Sequence, residues 1–138
     1  MTESHKNKTL ASLLAFALGA LGAHRFYLGG GKDRWGWLHA ASVPACLLIA
    51  LAAPQANWFY QILPLIASAL AGFLAALVLG LTPDERWDAT HNRASARRSE
   101  SQWPLALLLV ATMMAGAVVL IATIARLFDL IYTGGAYG

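Results

Sequence analysis

The chain has 138 residues, 58% of them hydrophobic and only 12% charged, with a net charge of +3. A soluble domain runs about 45–50% apolar and about 25% charged, so this balance excludes an ordinary soluble enzyme, a disordered tail and a coiled coil. No Asp, Glu, Lys or Arg occurs between Arg34 and Asp84, or between Glu100 and Arg126. Uncharged runs of that length are membrane-spanning material.

Four apolar segments occur in chain order: Leu10 to Ala23, Trp35 to Ala53, Trp58 to Leu81, and Trp103 to Ala125 with an extension to Ile131. A hydrocarbon core of about 30 Å needs about 20 helical residues. The last three meet that length. The first does so only if Arg25 snorkels and Phe26-Tyr27-Leu28 complete the helix. A re-entrant or interfacial helix is its alternative, and a cleaved signal peptide is a weaker one. Gly29-Gly30-Gly31 and Pro54-Gln55-Ala56-Asn57 punctuate the chain, and Pro44 and Pro64 predict local kinks. Thr82-Pro83-Asp84-Glu85 predicts a capped helix start, with Thr82 as N-cap, and a short interfacial helix over roughly 83–93. Ala94 to Gln102 is small, polar and expected to be flexible. Trp35, Trp37, Trp58, Trp87 and Trp103 all lie near segment edges, as an aromatic belt requires.

The expected fold is therefore all-α: four transmembrane helices as two hairpins, residues 6–53 and 54–138, with a loop at 82–102. Arg25, Lys32 and Arg34 come after the first segment, and Arg86, Arg93, Arg97 and Arg98 precede the fourth, whereas the 54–57 turn carries no basic residue. The positive-inside rule then puts loops 24–34 and 82–102 in the cytoplasm, and four spans put both termini outside. Lys6 and Lys8 dissent from that arrangement. Small residues mark close helix contacts in a bilayer. Ala11, Ala15, Gly19 and Ala23 form one such stripe, and Ser68, Gly72, Ala76 and Gly80 another, serving intrachain packing or self-association.

No chemistry announces itself. Gly29-Gly30-Gly31-Lys32 fails as a phosphate loop because Phe26 stands at the first glycine position and Asp33 follows the lysine. His5, His24, His39 and His91 form no ligand-spaced pair, His39 reads as interfacial, and Cys46 reads as an inert apolar thiol. A non-enzyme without metal or cofactor is expected. The lack of charged residues in mid-segment disfavours a pump. Two clusters remain: Gly22-Ala23-His24-Arg25-Phe26-Tyr27-Leu28-Gly29, and Asp84-Glu85-Arg86-Trp87-Asp88-Ala89-Thr90-His91-Asn92. A guanidinium at Arg25 suits a lipid phosphate, or a carboxylate of Asp84, Glu85 or Asp88.

The first cluster, preceded by Lys8 and Gly19-Ala20-Leu21-Gly22, resembles the signature of the TM-two domain family, whose bacterial members include the NINE protein. The resemblance covers about residues 6–53. Residues 84–92 look like the acidic-Trp-Asp-Ala-x-x-Asn element of bacterial relatives with extra helices. The resemblance implies a helical hairpin with a cytoplasmic turn and no enzyme activity; animal relatives carry Asp where this chain has His24. His24, Arg25, Phe26, Tyr27 and Gly29 are the expected interaction motif, and Asp84, Glu85, Trp87, Asp88 and Asn92 a second cytoplasmic element. The expected role is a structural, interaction or accessory module of a bacterial inner membrane. Its partners would be membrane lipid and another membrane protein or a second copy. The alternative is transport of a small solute, ion or lipid.

Overall fold

The computed structural model describes residues 4–137. They form helices α1 (Lys8–Leu18), α2 (Ala23–Gly29), α3 (Arg34–Ala40), α4 (Ser42–Ala52), α5 (Trp58–Leu81), α6 (Asp84–His91) and α7 (Trp103–Thr133), with 3-10 turns at Gly19–Leu21 and Gly30–Lys32. No strand occurs among the described residues. Three stretches are long and apolar enough to cross a membrane: Arg34–Ala52, Trp58–Leu81 and Trp103–Thr133. At about 1.5 Å per residue the 31 residues of α7 are longer than a bilayer core of about 30 Å is thick.

The first apolar segment is not the continuous helix expected. It runs down as α1, unwinds over Gly19–Leu21, reverses at Gly22 and climbs back as α2. Gly22 has φ 78, the left-handed region open to glycine, and a Cβ there would stand 2.5 Å from the Gly36 carbonyl oxygen. Both arms return to one end of the molecule: the Tyr27 hydroxyl, in the last turn of α2, accepts from the backbone N–H of Asn7 just before α1 (2.9 Å). The second segment is also interrupted, between α3 and α4 at Ala41. Pro44 has no N–H for the Ala40 carbonyl, and the ladder resumes with Ala45 N–H to Ala41 O at 3.0 Å. Pro64, by contrast, sits inside an unbroken α5.

α5 is the central post, packing against α1, α4 and α7. α1 runs antiparallel to it: Lys8 meets Thr82 at one end, and Gly19 meets Gly72 farther down. Ala11, Ala15, Gly19, Gly72, Ala76 and Gly80 are all buried, and Ala23 is half-buried. Backbones meet here directly, since a Cβ on Gly19 would stand 2.7 Å from the Gly72 Cα. Gly80 faces Ser12 and Leu109, so α7 joins the same packing.

Candidate functional site

The polar residues gather at the end of the bundle marked by Thr82. α6 starts there, but without the expected capping box. The Thr82 hydroxyl instead donates to the Val78 carbonyl in the last turn of α5 (2.7 Å), and Pro83 occupies the N-cap position. That leaves the Asp84 carboxylate free to reach outward. It pairs with Lys8, whose Nζ also donates to the Thr82 carbonyl at 2.8 Å, and it accepts from the Ser101 N–H at 2.8 Å and hydroxyl at 2.6 Å. Burial alone would raise the Asp84 carboxyl, but the bonds from Lys8 and Ser101 outweigh it and hold it below the usual range.

One turn on, Asp88 binds the chain beyond α6. It accepts from Asn92 Nδ2 (2.9 Å), the Ser99 N–H (2.7 Å) and the Ser99 hydroxyl (2.5 Å). These donors lower its carboxyl to about 2. Asn92 is placed by the helix spacing, four residues from Asp88 on one face. It then clamps the chain's beginning: the Lys6 N–H donates to its Oδ1 at 2.7 Å, and its Nδ2 donates to the Lys6 carbonyl at 3.1 Å. The Trp87 indole donates to the same carbonyl at 3.0 Å. Trp87 is therefore buried beneath residues 5–8 and does not belong to the interfacial belt; Trp35, Trp37, Trp58 and Trp103 remain exposed. His5 bonds the hydroxyls of Ser95 (3.1 Å) and Ser99 (3.3 Å). The stretch 94–102, expected as a flexible linker, is thus tied at Ser95, Ser99 and Ser101. Glu85 is exposed and faces away from this network.

The motif 24–29 is built differently. Asp33 caps α3, accepting from the N–H of Trp35 (2.9 Å) and Gly36 (3.0 Å), and grips Arg25 in a fork: Nε to Oδ1 at 3.3 Å, Nη2 to Oδ2 at 3.1 Å. The Gly36 bond, followed by the Arg25 guanidinium, overcomes burial and holds the Asp33 carboxyl below the usual range. Arg25 therefore pairs across its own turn and not with Asp84, Glu85 or Asp88. Gly29 permits this, because a Cβ there would meet Asp33 Oδ2 at 2.5 Å. Phe26 packs edge-on to Trp37 (5.4 Å) and against the bare Gly36, while the Tyr27 ring lies under Lys6 Nζ at 4.8 Å.

His24 and His39, far apart in the sequence, meet with ring centroids 5.4 Å apart. His39 is half-buried, and its Nδ1 bonds the Ser68 hydroxyl at 2.7 Å, which donates to the Ala20 carbonyl at 2.7 Å in the unwound turn. Ser42 donates to that carbonyl as well, at 3.4 Å. Unwound backbone away from water needs protein groups to satisfy it, and the two serines do so for Ala20. His24 is 2% exposed, and its Nδ1 has no hydrogen-bond partner. Among the described residues no three His, Cys, Asp or Glu side chains group closely enough to hold a metal.

The fold and its polar end define an all-helical protein of membrane type. Residues 4–52 match the family model of the TM2 domain, so the resemblance carried by His24 to Gly29 is shown for that segment, a little over a third of the chain. Neither curated proteins nor solved structures give a match.

Proposed function

We propose that this chain is a non-enzymatic, multi-pass structural or interaction module of the bacterial inner membrane, with three spans and one re-entrant hairpin in place of four spans. One observation carries the reading. Tyr27 of the first motif and Trp87, Asp88 and Asn92 of the second join residues 5–8, the α2 turn and the 82–101 loop into one platform. Four spans would require residues 5–8 and 82–101 on opposite sides. With α1 and α2 re-entrant, every Lys and Arg among the ten except Arg126 falls on the platform side. Lys6 and Lys8 then cease to dissent, and the positive-inside rule makes the platform cytoplasmic. This replaces the expectation of an outside N-terminus. Gly138, expected outside, lies beyond the described residues. The bacterial setting rests on the resemblance of residues 84–92.

Single cysteines in a Cys46→Ala background test the orientation. Positions 4, 32 and 97 are expected to react only from the cytoplasmic side, and position 57 only from outside. Position 4 separates three spans from four, and its labelling from outside would restore the fourth span. The role itself is tested by photo-crosslinkers at Arg97 and Lys32 in native membranes. A discrete protein adduct, or a homodimer, is expected. The competing transport reading draws on the interior His24–His39–Ser68 cluster. Solute or ion flux in proteoliposomes without any adduct would decide for it.

A further inference from the structure

We propose that the groove between α2, α3 and α5 binds the phosphate of an anionic phospholipid through Arg25, with an acyl chain descending past Ala75 along Leu38 and Ala71. The groove has a volume of about 270 Å³ and is lined by His24, Arg25 and His39 on its polar side and by apolar residues elsewhere. Asp33 engages Nε and Nη2 of Arg25, which leaves guanidinium donors over, and the side chain is 37% exposed. Lys32 and Arg34 flank Asp33, so this rim carries a net positive charge. His24 and His39 border the same groove.

Depth selects the ligand. Ala75, Val78 and Leu79 belong to the last two turns of α5 before Thr82. At about 1.5 Å per residue they lie roughly 5–10 Å below the platform. A snorkelling guanidinium there meets the phosphate layer, while the adjoining cavity that shares Trp35 and His39 carries the apolar wall deeper along Leu38, Ala45 and Ala71. A metal cation would face Arg25 and is disfavoured.

The inference goes beyond the module reading. Its test is run on the full chain in detergent, where sidedness plays no part, so it fails independently of the orientation. Native mass spectrometry would compare retention of phosphatidylglycerol with that of phosphatidylcholine. At least about tenfold preference for phosphatidylglycerol is expected: both headgroups offer a phosphate to Arg25, but the choline cation of phosphatidylcholine would stand beside Arg25, Lys32 and Arg34, whereas glycerol brings no charge. Arg25→Gln should abolish the preference. Ala75→Phe fills the groove, leaves the Arg25–Asp33 pair in place, and should abolish retention. It decides the matter if Arg25→Gln does not fold. Equal retention of both lipids, or of phosphatidylglycerol by wild type and Ala75→Phe, would overturn the proposal. Displacement of the lipid by millimolar inorganic phosphate would overturn it too, by making a free anion the ligand.

Discussion

Gly19→Leu is expected to detach the α1–α2 hairpin from α5. A Cβ at position 19 already falls 2.7 Å from the Gly72 Cα and 3.3 Å from its carbonyl carbon, and both are backbone atoms that no rotamer change can move aside. The reciprocal contact is as tight, with a Gly72 Cβ 2.8 Å from the Gly19 Cα. Overpacking a well-filled core costs about 1–3 kcal/mol, and a clash between a side chain and an immovable main chain belongs at the upper end or beyond. Interhelical polar contacts in bilayers average nearer 1 kcal/mol, so losing this close approach outweighs most single bonds in the bundle. The consequence extends past the clash. α1 cannot retreat from Gly72 without pulling Ala20 away from Ser68 and Ser42, which satisfy the unwound turn. Thermal unfolding in detergent would show a melting temperature lowered by several degrees, together with new protease cleavage between residues 18 and 30. Gly31→Ala is the control, because a Cβ there meets nothing within 4 Å. A Gly19→Leu protein as stable as Gly31→Ala would remove this contact from the energetics of the hairpin.

The three long spans are legible in the sequence because their signal is local: uninterrupted apolar length, bounded by Pro, Asn and Gly. The reversal at Gly22 is not, since run length and composition do not report a φ. The available hint is Gly19-Ala20-Leu21-Gly22, which supplies one glycine for close approach and one for a left-handed turn. His24 and His39 look unrelated in the sequence for a similar reason. Fifteen positions separate them, and the turn at Gly30–Lys32, which sets α3 beside α2, brings their rings together. Arg25 looks available to distant carboxylates as long as Gly29-Gly30-Gly31 reads as a break. As a tight reversal, it delivers Asp33 to Arg25. In the second cluster the Asp88/Asn92 spacing is visible as one helix face. Its partners are not, because Ser95, Ser99 and Ser101 in a small polar stretch look like a flexible linker until a carboxylate or an imidazole engages them.

Removal of Asp88 should release the strap formed by residues 5–8. Its carboxylate gathers Asn92 Nδ2, the Ser99 N–H and the Ser99 hydroxyl, and Asn92 in turn holds both backbone groups of Lys6. Asp88→Ala leaves those donors without an acceptor, and a buried unsatisfied group costs about 1–3 kcal/mol. Hydrogen exchange should therefore rise at residues 5–8 and 99–101 while the α5 and α7 amides stay protected, since the spans do not depend on the clamp. The pH dependence is set by the carboxyl's position. Its native value of about 2 lies below the usual value of about 3.9, chiefly through the Asn92 bond. A carboxylate lowered by folding contributes stability that is fully present above its unfolded value and lost as pH falls toward its native one. Strap protection should hold at pH 5 and fade between about pH 4 and 2. Asp84, also lowered, titrates beside it and contributes to the same loss. Asp88→Asn isolates the Asp88 share: the variant begins with weaker protection at pH 5 and loses less on acidification. Wild type and Asp88→Asn losing strap protection equally over that interval would assign the acid response to Asp84 and its Lys8 pair instead.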